Sequence, residues 1–267
     1  MQNSWALGVA VALAALPAAA QERPALVTPA TCAASGQPDR LEGVTPQGDL
    51  VLSAGRLAKL AAIRLPDEPS FRGQALVWLR ARVGQALVVQ GAPERDRWDR
   101  RSVRIWPSND LNTVDFGRGL VEAGLALVDP AAAETFCQPE LLAFEEKARE
   151  QSLGLWRDDR YKPISTEHAD RLRDRVGTFA LVEGRVRSVG ERAQRTYLNF
   201  GGHWAEDFTI VIPKKTWKSL VDRGLDAAAL KGQRIRVRGI LEPWQGTSLT
   251  LLVPEMIERL AGERLPR

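Results

Sequence analysis

Histidine, cysteine, methionine and tyrosine occur only twice each in the 267 residues, and aromatic residues make up 6%. The two histidines, His168 and His203, stand far apart, and no Cys or carboxylate cluster at ligand spacing accompanies either. That pattern excludes a zinc site built from His and Cys ligands. Also missing are a nucleophile elbow, a phosphate-binding glycine loop and a dinucleotide fingerprint, so the enzyme classes those motifs mark are set aside. Beyond the first twenty residues no apolar stretch is long enough to cross a hydrocarbon layer of about 30 Å. No low-complexity tract implies extended disorder.

The chain is long enough for two compact units, each with its own core. Its 44% hydrophobic and 26% charged residues are those of a soluble globular protein. The net charge of +4 favours anionic partners such as nucleic acid or a membrane surface, although solubility alone also accounts for it.

Residues 1–20 hold an apolar run from Trp5 to Leu16 and end in Ala18-Ala19-Ala20, the pattern of a signal peptide cleaved after Ala20, although no Lys or Arg precedes the run. The expected location is periplasmic or secreted, with no integral membrane span in the mature chain. Pro29-Ala30-Thr31 before Cys32 does not resemble a lipoprotein signal. In an oxidising compartment Cys32 and Cys137 are expected to form a disulfide, with two buried thiols as the alternative. Closing a loop of roughly 100 residues contributes up to about 4.7 kcal/mol in the chain-entropy account.

After an N-terminal extension over 21–42, Leu50-Val51-Leu52 and residues 57–63 read as a hairpin around Ser53-Ala54-Gly55. Phe71, Ala75, Leu79 and Val83 recur at four-residue spacing, which predicts a helix over 71–83. Strand character returns at 86–90 and 102–106. Helices are predicted over 114–123, stopped by Gly124, and over 139–153, where Leu141, Phe144 and Ala148 form the apolar stripe. The charged segment 161–175, with Pro163, reads as a linker. From 176 to 260 five short strands and one helix near 216–223 predict a small closed barrel, since closure removes unpaired edges. No sequence repeat links the halves.

Four landmarks in order carry a resemblance to the staphylococcal nuclease (thermonuclease) family over 43–160. Gly48-Asp49-Leu50 looks like its opening strand, and the run from Lys59 through Ile63-Arg64-Leu65-Pro66-Asp67 looks like its Arg-Leu to Ile-Asp-x-Pro-Glu segment. Asp96-Arg97-Trp98-Asp99-Arg100 resembles its Asp-Arg-Tyr-Gly-Arg loop; 119–126 and 146–156 resemble its terminal helices. The resemblance implies an α+β, mainly β fold: an OB-type five-stranded barrel with three helices, here followed by a second small OB-like barrel. It also implies calcium-dependent hydrolysis of DNA and RNA. Such chemistry needs carboxylates for a hard cation, a carboxylate base and two cations for the developing phosphate charge.

Carried over residue by residue, the first metal carboxylate falls on Asp49, and the second falls on Arg64, which reverses the charge a calcium ion needs. The first catalytic Arg falls on Lys59, which lacks the planar fork for phosphate. The general base falls on Asp67, or on Glu68 if the loop slips by one residue. Arg100 keeps the second Arg, and Asp99 replaces a Gly beside it, a residue that tolerates a left-handed backbone. No cofactor is expected, apart from calcium if the site is active.

In the second unit Arg234, Arg236 and Arg238 alternate with aliphatics, as do Arg185 and Arg187, and Tyr197, Phe200 and Trp204 lie in an aromatic-rich segment. Strand alternation then predicts guanidinium groups on one face, with aromatics for base stacking, the ingredients of single-strand binding on OB barrels. A solvated outer face reads equally well. Three functions stay open: binding of nucleic acid or another anionic polymer with hydrolysis weak or absent, a nuclease-like phosphodiesterase, and an envelope scaffold.

Overall fold

A computed structural model describes residues 32, 35–108, 114–133, 135–202 and 207–260. The expected signal peptide, His203 and Trp204 lie outside the described residues. Among the described residues no helix is long and apolar enough to cross a membrane.

The first unit contains β1 (Gln37–Val44), β2 (Leu50–Leu52), β3 (Arg56–Leu60), β4 (Ile63–Arg64), β5 (Ala86–Arg95) and β6 (Arg101–Pro107). β1, β2, β3, β6 and β5 close a five-stranded barrel in that order, antiparallel except for the parallel β3–β6 pair. Alternate residues point inward, so Leu41, Leu50, Leu52, Ala58, Leu60, Leu87, Val103 and Ile105 fill the interior. Around it pack α1 (Pro69–Arg80), α2 (Phe116–Glu122) and α3 (Leu141–Glu150). β7 (Leu127–Val128) pairs with β4 outside the barrel.

Helix boundaries follow their caps. α1 starts where the Glu68 carboxylate accepts the Ser70 and Phe71 amides, with Pro69 in the first turn, and ends at Arg80. Val83 therefore lies outside the helix and is exposed, whereas Ala75 and Leu79 are fully buried as their spacing predicts. α2 starts later than its sequence pattern suggests because Asp115 accepts the Arg118 amide.

The second unit adds β8 (Ile164–Ser165), α4 (Ala169–Arg173), β9 (Phe179–Arg185), β10 (Ser188–Glu191), β11 (Arg195–Asn199), β12 (Phe208–Pro213), α5 (Lys214–Asp222), α6 (Ala227–Leu230), β13 (Arg234–Pro243), β14 (Thr247–Thr250) and β15 (Ile257–Arg259). Its sheet runs β10-β11-β12-β14-β13-β9-β8, with β15 on β13. β9 and β10 are one run of chain bent at Val186-Arg187, whose amides bond Gln233 and Asn199. The path leaving β10 thus returns to β9, and its parallel pair is β12–β14. The two halves repeat one pairing order that their sequences do not show.

Residues 161–175 are not a free linker. They carry β8 and α4, and Tyr161, Ile164 and Leu172 are buried. Leu127, Ala148, Leu155, Trp156, Tyr161, Phe179 and Leu181 form a core shared by both units. The expected disulfide is present: Cys32 and Cys137 are bonded, 105 residues apart in sequence.

Candidate functional site

The 96–100 loop joins β5 to β6 and is organised by one carboxylate. Asp96 Oδ1 accepts the amides of Trp98 at 3.0 Å and Arg100 at 3.1 Å. Its Oδ2 accepts from Arg100 Nε at 3.0 Å and Nη2 at 2.8 Å, and Lys59 Nζ stands 3.5 Å away. Hydrogen bonds from Arg100 hold the Asp96 carboxyl far below its usual range, and the same contacts raise the pKa of Arg100. Asp99 adopts φ 60°, the left-handed conformation for which a Gly is the ordinary choice. Its carboxylate turns to Arg95 at 2.7 Å, so its charge does not burden Arg100.

Asp49 comes from the turn before β2, where Gly48 takes φ 95° and a Cβ would stand 2.3 Å from Leu65 Cδ1. That turn presents Asp49 Oδ1 to Arg100 Nη1 at 3.0 Å. Asp49, Lys59 and Arg100 therefore converge, with Asp96, which sequence reasoning quoted only as part of a motif. Trp98 lies over this cluster, its ring 4.7 Å from Arg100 Cζ and 3.9 Å from Arg97 Cζ.

The other half of the expected catalytic set lies at the start of α1. Glu68 caps the helix, and bonds from the Ser70 hydroxyl and the Phe71 amide lower its pKa. The Glu68 amide donates to Tyr161 Oη at 3.2 Å. This carboxylate is thereby engaged as a cap and is no free base. Asp67 is exposed, with Arg72 Nη2 3.4 Å from its Oδ1.

Arg64 is turned to the second unit. Its Nη2 and Nε lie 3.0 and 3.1 Å from the buried carboxylate of Asp129, and its Cζ stands 5.1 Å from the Phe179 ring of β9. Arg64 thus pairs with Asp129 of the first unit while touching Phe179 of the second. Arg64→Asp is expected to lower stability by about 1–3 kcal/mol, because Asp129 loses its partner and gains a like charge. Thermal unfolding checks this; an unchanged Tm contradicts it.

Calcium does not fit this donor set. The ion takes about 6–8 oxygens, yet Asp49 and Asp96 both pair with Arg100, and Arg64 pairs with Asp129. Among the described residues no three His, Cys, Asp or Glu side chains gather to hold a metal.

The alternating arginines of β13 require a correction. Arg236 and Arg238 do not face solvent; they are buried, Arg236 pairing with Glu146 of α3 and Glu183 of β9, and Arg238 with Glu145 of α3 and Glu258 of β15. Arg234 pairs with Glu183 at 2.9 Å. Arg185 donates to the Gly232 carbonyl, and with Arg234 and Glu183 it lines a cavity of about 400 Å³. Arg187 lies beside Gly202, and Tyr197 is half-buried between Gly190 and Val211. These residues make no continuous cationic face.

The pH dependence of the loop follows from Asp96. Its folded pKa is depressed, so its contribution is full above the unfolded value of about 3.9 and is lost as pH falls through the folded value. Asp96→Asn is therefore expected to destabilise the protein at pH 7, with the gap narrowing under strong acid. Urea unfolding of both proteins across pH checks this, and a pH-independent gap contradicts it.

Residues 57–158 match the family described as Staphylococcal nuclease homologue. "Probable endonuclease lcl3" of Botryotinia fuckeliana (strain B05.10) is 32% identical over 94 residues, covering 34% of this chain and 35% of that protein. The protein of the same name from Sclerotinia sclerotiorum (strain ATCC 18683 / 1980 / Ss-1) is 30% identical over 94 residues, with the same coverage. The match thus spans about a third of these relatives' length. Residues 57–158 of this chain are a staphylococcal-nuclease-like domain.

Proposed function

We propose that the nuclease-like unit binds single-stranded nucleic acid, or another anionic polymer, through the 96–100 loop, and that calcium-dependent phosphodiester hydrolysis has been lost. One observation carries this reading. The Arg100 fork is closed on Asp96 and Asp49, while Arg64 is committed to Asp129. The groups at the rim suit binding: Trp98 is 55% exposed, Arg97 stacks on it, and Lys59, 3.5 Å from Asp96, is partly exposed. An exposed indole beside cations is a stacking platform that tracks a phosphate backbone.

Residues 176–260 belong to this reading as an OB-type unit; the support is their pairing order, which repeats that of the first barrel. Export to the periplasm or medium also belongs to it, supported by the composition of residues 1–20 and by the Cys32–Cys137 bond.

Filter binding of a short single-stranded oligonucleotide across a salt series tests the proposal. With Lys59 and Arg97 as phosphate contacts, the slope of log K against log salt is expected near −1.4, that is about −0.7 per contact. Trp98→Ala should weaken binding by about 1–3 kcal/mol. Undetectable or salt-insensitive association overturns the proposal, and a protein partner recovered with neither binding nor cleavage favours a scaffold instead.

A further inference from the structure

Away from this loop, Arg82 folds back over the last turn of α1 until its Cζ stands 3.2 Å from the centroid of the Trp78 indole. At that separation the guanidinium lies flat on the ring. Its Nη1 donates to the Trp78 carbonyl at 2.6 Å, and the Phe116 ring lies 5.8 Å from Cζ. α2 completes the wall: Phe116 meets Trp78 edge-on at 5.7 Å. Gly119 makes that approach possible, since a Cβ there would stand 2.8 Å from Trp78 Cζ2. The resulting groove encloses about 610 Å³, with Gln85, Pro107, Val114 and Glu122 also on its walls.

Arg82 is placed unlike the buried arginines of the second unit, because no carboxylate of the described residues pairs with it. The one acid on the wall, Glu122, accepts from Arg118 Nε at 2.8 Å. Burial pulls the Arg82 guanidinium below its ordinary pKa, as an uncompensated charge requires, but a guanidinium remains charged at neutral pH. Among the described residues its Nη1 bonds the Trp78 carbonyl, and its Nε and Nη2 make no side-chain hydrogen bond. A planar cation thus faces a groove lined by apolar Pro107, Val114 and Phe116 and by polar Gln85 and Glu122.

We propose that this groove is a second ligand site, which binds a nucleotide with its phosphate on Arg82 and its base against the wall of Pro107 and exposed Val114. Guanidinium and phosphate match in a bidentate contact, and the Trp78 stack holds the fork in plane. Gln85 at the rim offers an amide to the polar edge of the base. The volume lies in the range of small-molecule sites, roughly 300–1,000 Å³. A free nucleoside monophosphate and the 5′-phosphorylated end of a strand present the same chemistry. The site does not depend on strand binding at the 96–100 loop.

Calorimetric titration of the full chain tests it, with AMP as probe and adenosine and inorganic phosphate as its separate halves. AMP is expected to bind at least about tenfold more tightly than either half. Arg82→Gln should lose about tenfold or more, and Gln85→Glu, an exposed change that sets a carboxylate at the rim, should also weaken binding. If Arg82→Gln does not fold, Gln85→Glu alone carries the test. A 5′-phosphorylated oligothymidylate that binds more tightly than AMP assigns a strand end, and the reverse assigns a free nucleotide. AMP binding absent at millimolar concentration, no tighter than phosphate, or unmoved by the substitutions overturns the proposal.

Discussion

Replacing Arg238 by alanine is expected to destabilise the protein by about 3–5 kcal/mol, the usual cost of breaking a buried ion pair from one side. The side chain is fully buried; its Nη1 lies 2.6 Å from Glu145 Oε2 and 3.1 Å from the Val128 carbonyl, and its Nη2 lies 2.5 Å from Glu258. Burial opposes the charge, yet Glu145 and Glu258 raise its pKa, so the pairs prevail. Glu145 is equally buried, and its Oε1 accepts the Val128 amide at 2.7 Å. Without Arg238 that fully buried carboxylate loses its cationic partner. At roughly 2–4 °C per kcal/mol for a chain of this size, Tm should fall by about 6–20 °C. A double change of Arg238 and Glu145 to methionine should recover most of the loss, since it removes both charges. A fall of only a degree or two in the single variant contradicts this account.

Loss of the disulfide is the second large effect. Cys32 and Cys137 are 105 residues apart, and a bond closing so long a loop removes much of the entropy of the unfolded chain. Replacing both cysteines by alanine should cost about 2–5 kcal/mol. Urea unfolding under non-reducing conditions checks it, and reduced wild-type protein should match the double variant. An unchanged midpoint contradicts the prediction. The bond also sets Cys32 beside β5, where its carbonyl accepts from Gln90 Nε2 at 3.3 Å.

The first barrel was legible because its signals are local: alternation at Leu50-Val51-Leu52, spacing at Ala75 and Leu79, and ordered motifs from Asp49 to Arg100. The roles of its charges were not, because each depends on a distant partner. Arg64 meets Asp129, 65 residues on, and Arg238 meets Glu145, 93 residues back. Alternation along β13 shows that its arginines share a side, but not whether that side meets water or α3. One clue was present: Glu145 lies four residues after Leu141 and three before Ala148, on the buried stripe of α3. A carboxylate on an apolar stripe calls for a buried cation. Glu68 is a similar case, since a carboxylate just before Pro69 reads as a cap by position as much as a base by resemblance.

The ion pair of Arg64 and the packing of the second unit meet at one place. Asp129 pairs with Arg64 and the Phe179 ring lies 5.1 Å from its Cζ, so this guanidinium is committed at the contact between the units. The proposed binding to phosphate rests on Trp98 and Arg97, exposed around the Asp96 turn, with Lys59 partly exposed beside Asp96. The most direct test incubates the purified protein with single-stranded DNA, with and without calcium, and follows retention and cleavage together. The strand should be retained and stay intact in both conditions; calcium-dependent cleavage that Arg100→Ala abolishes contradicts the account.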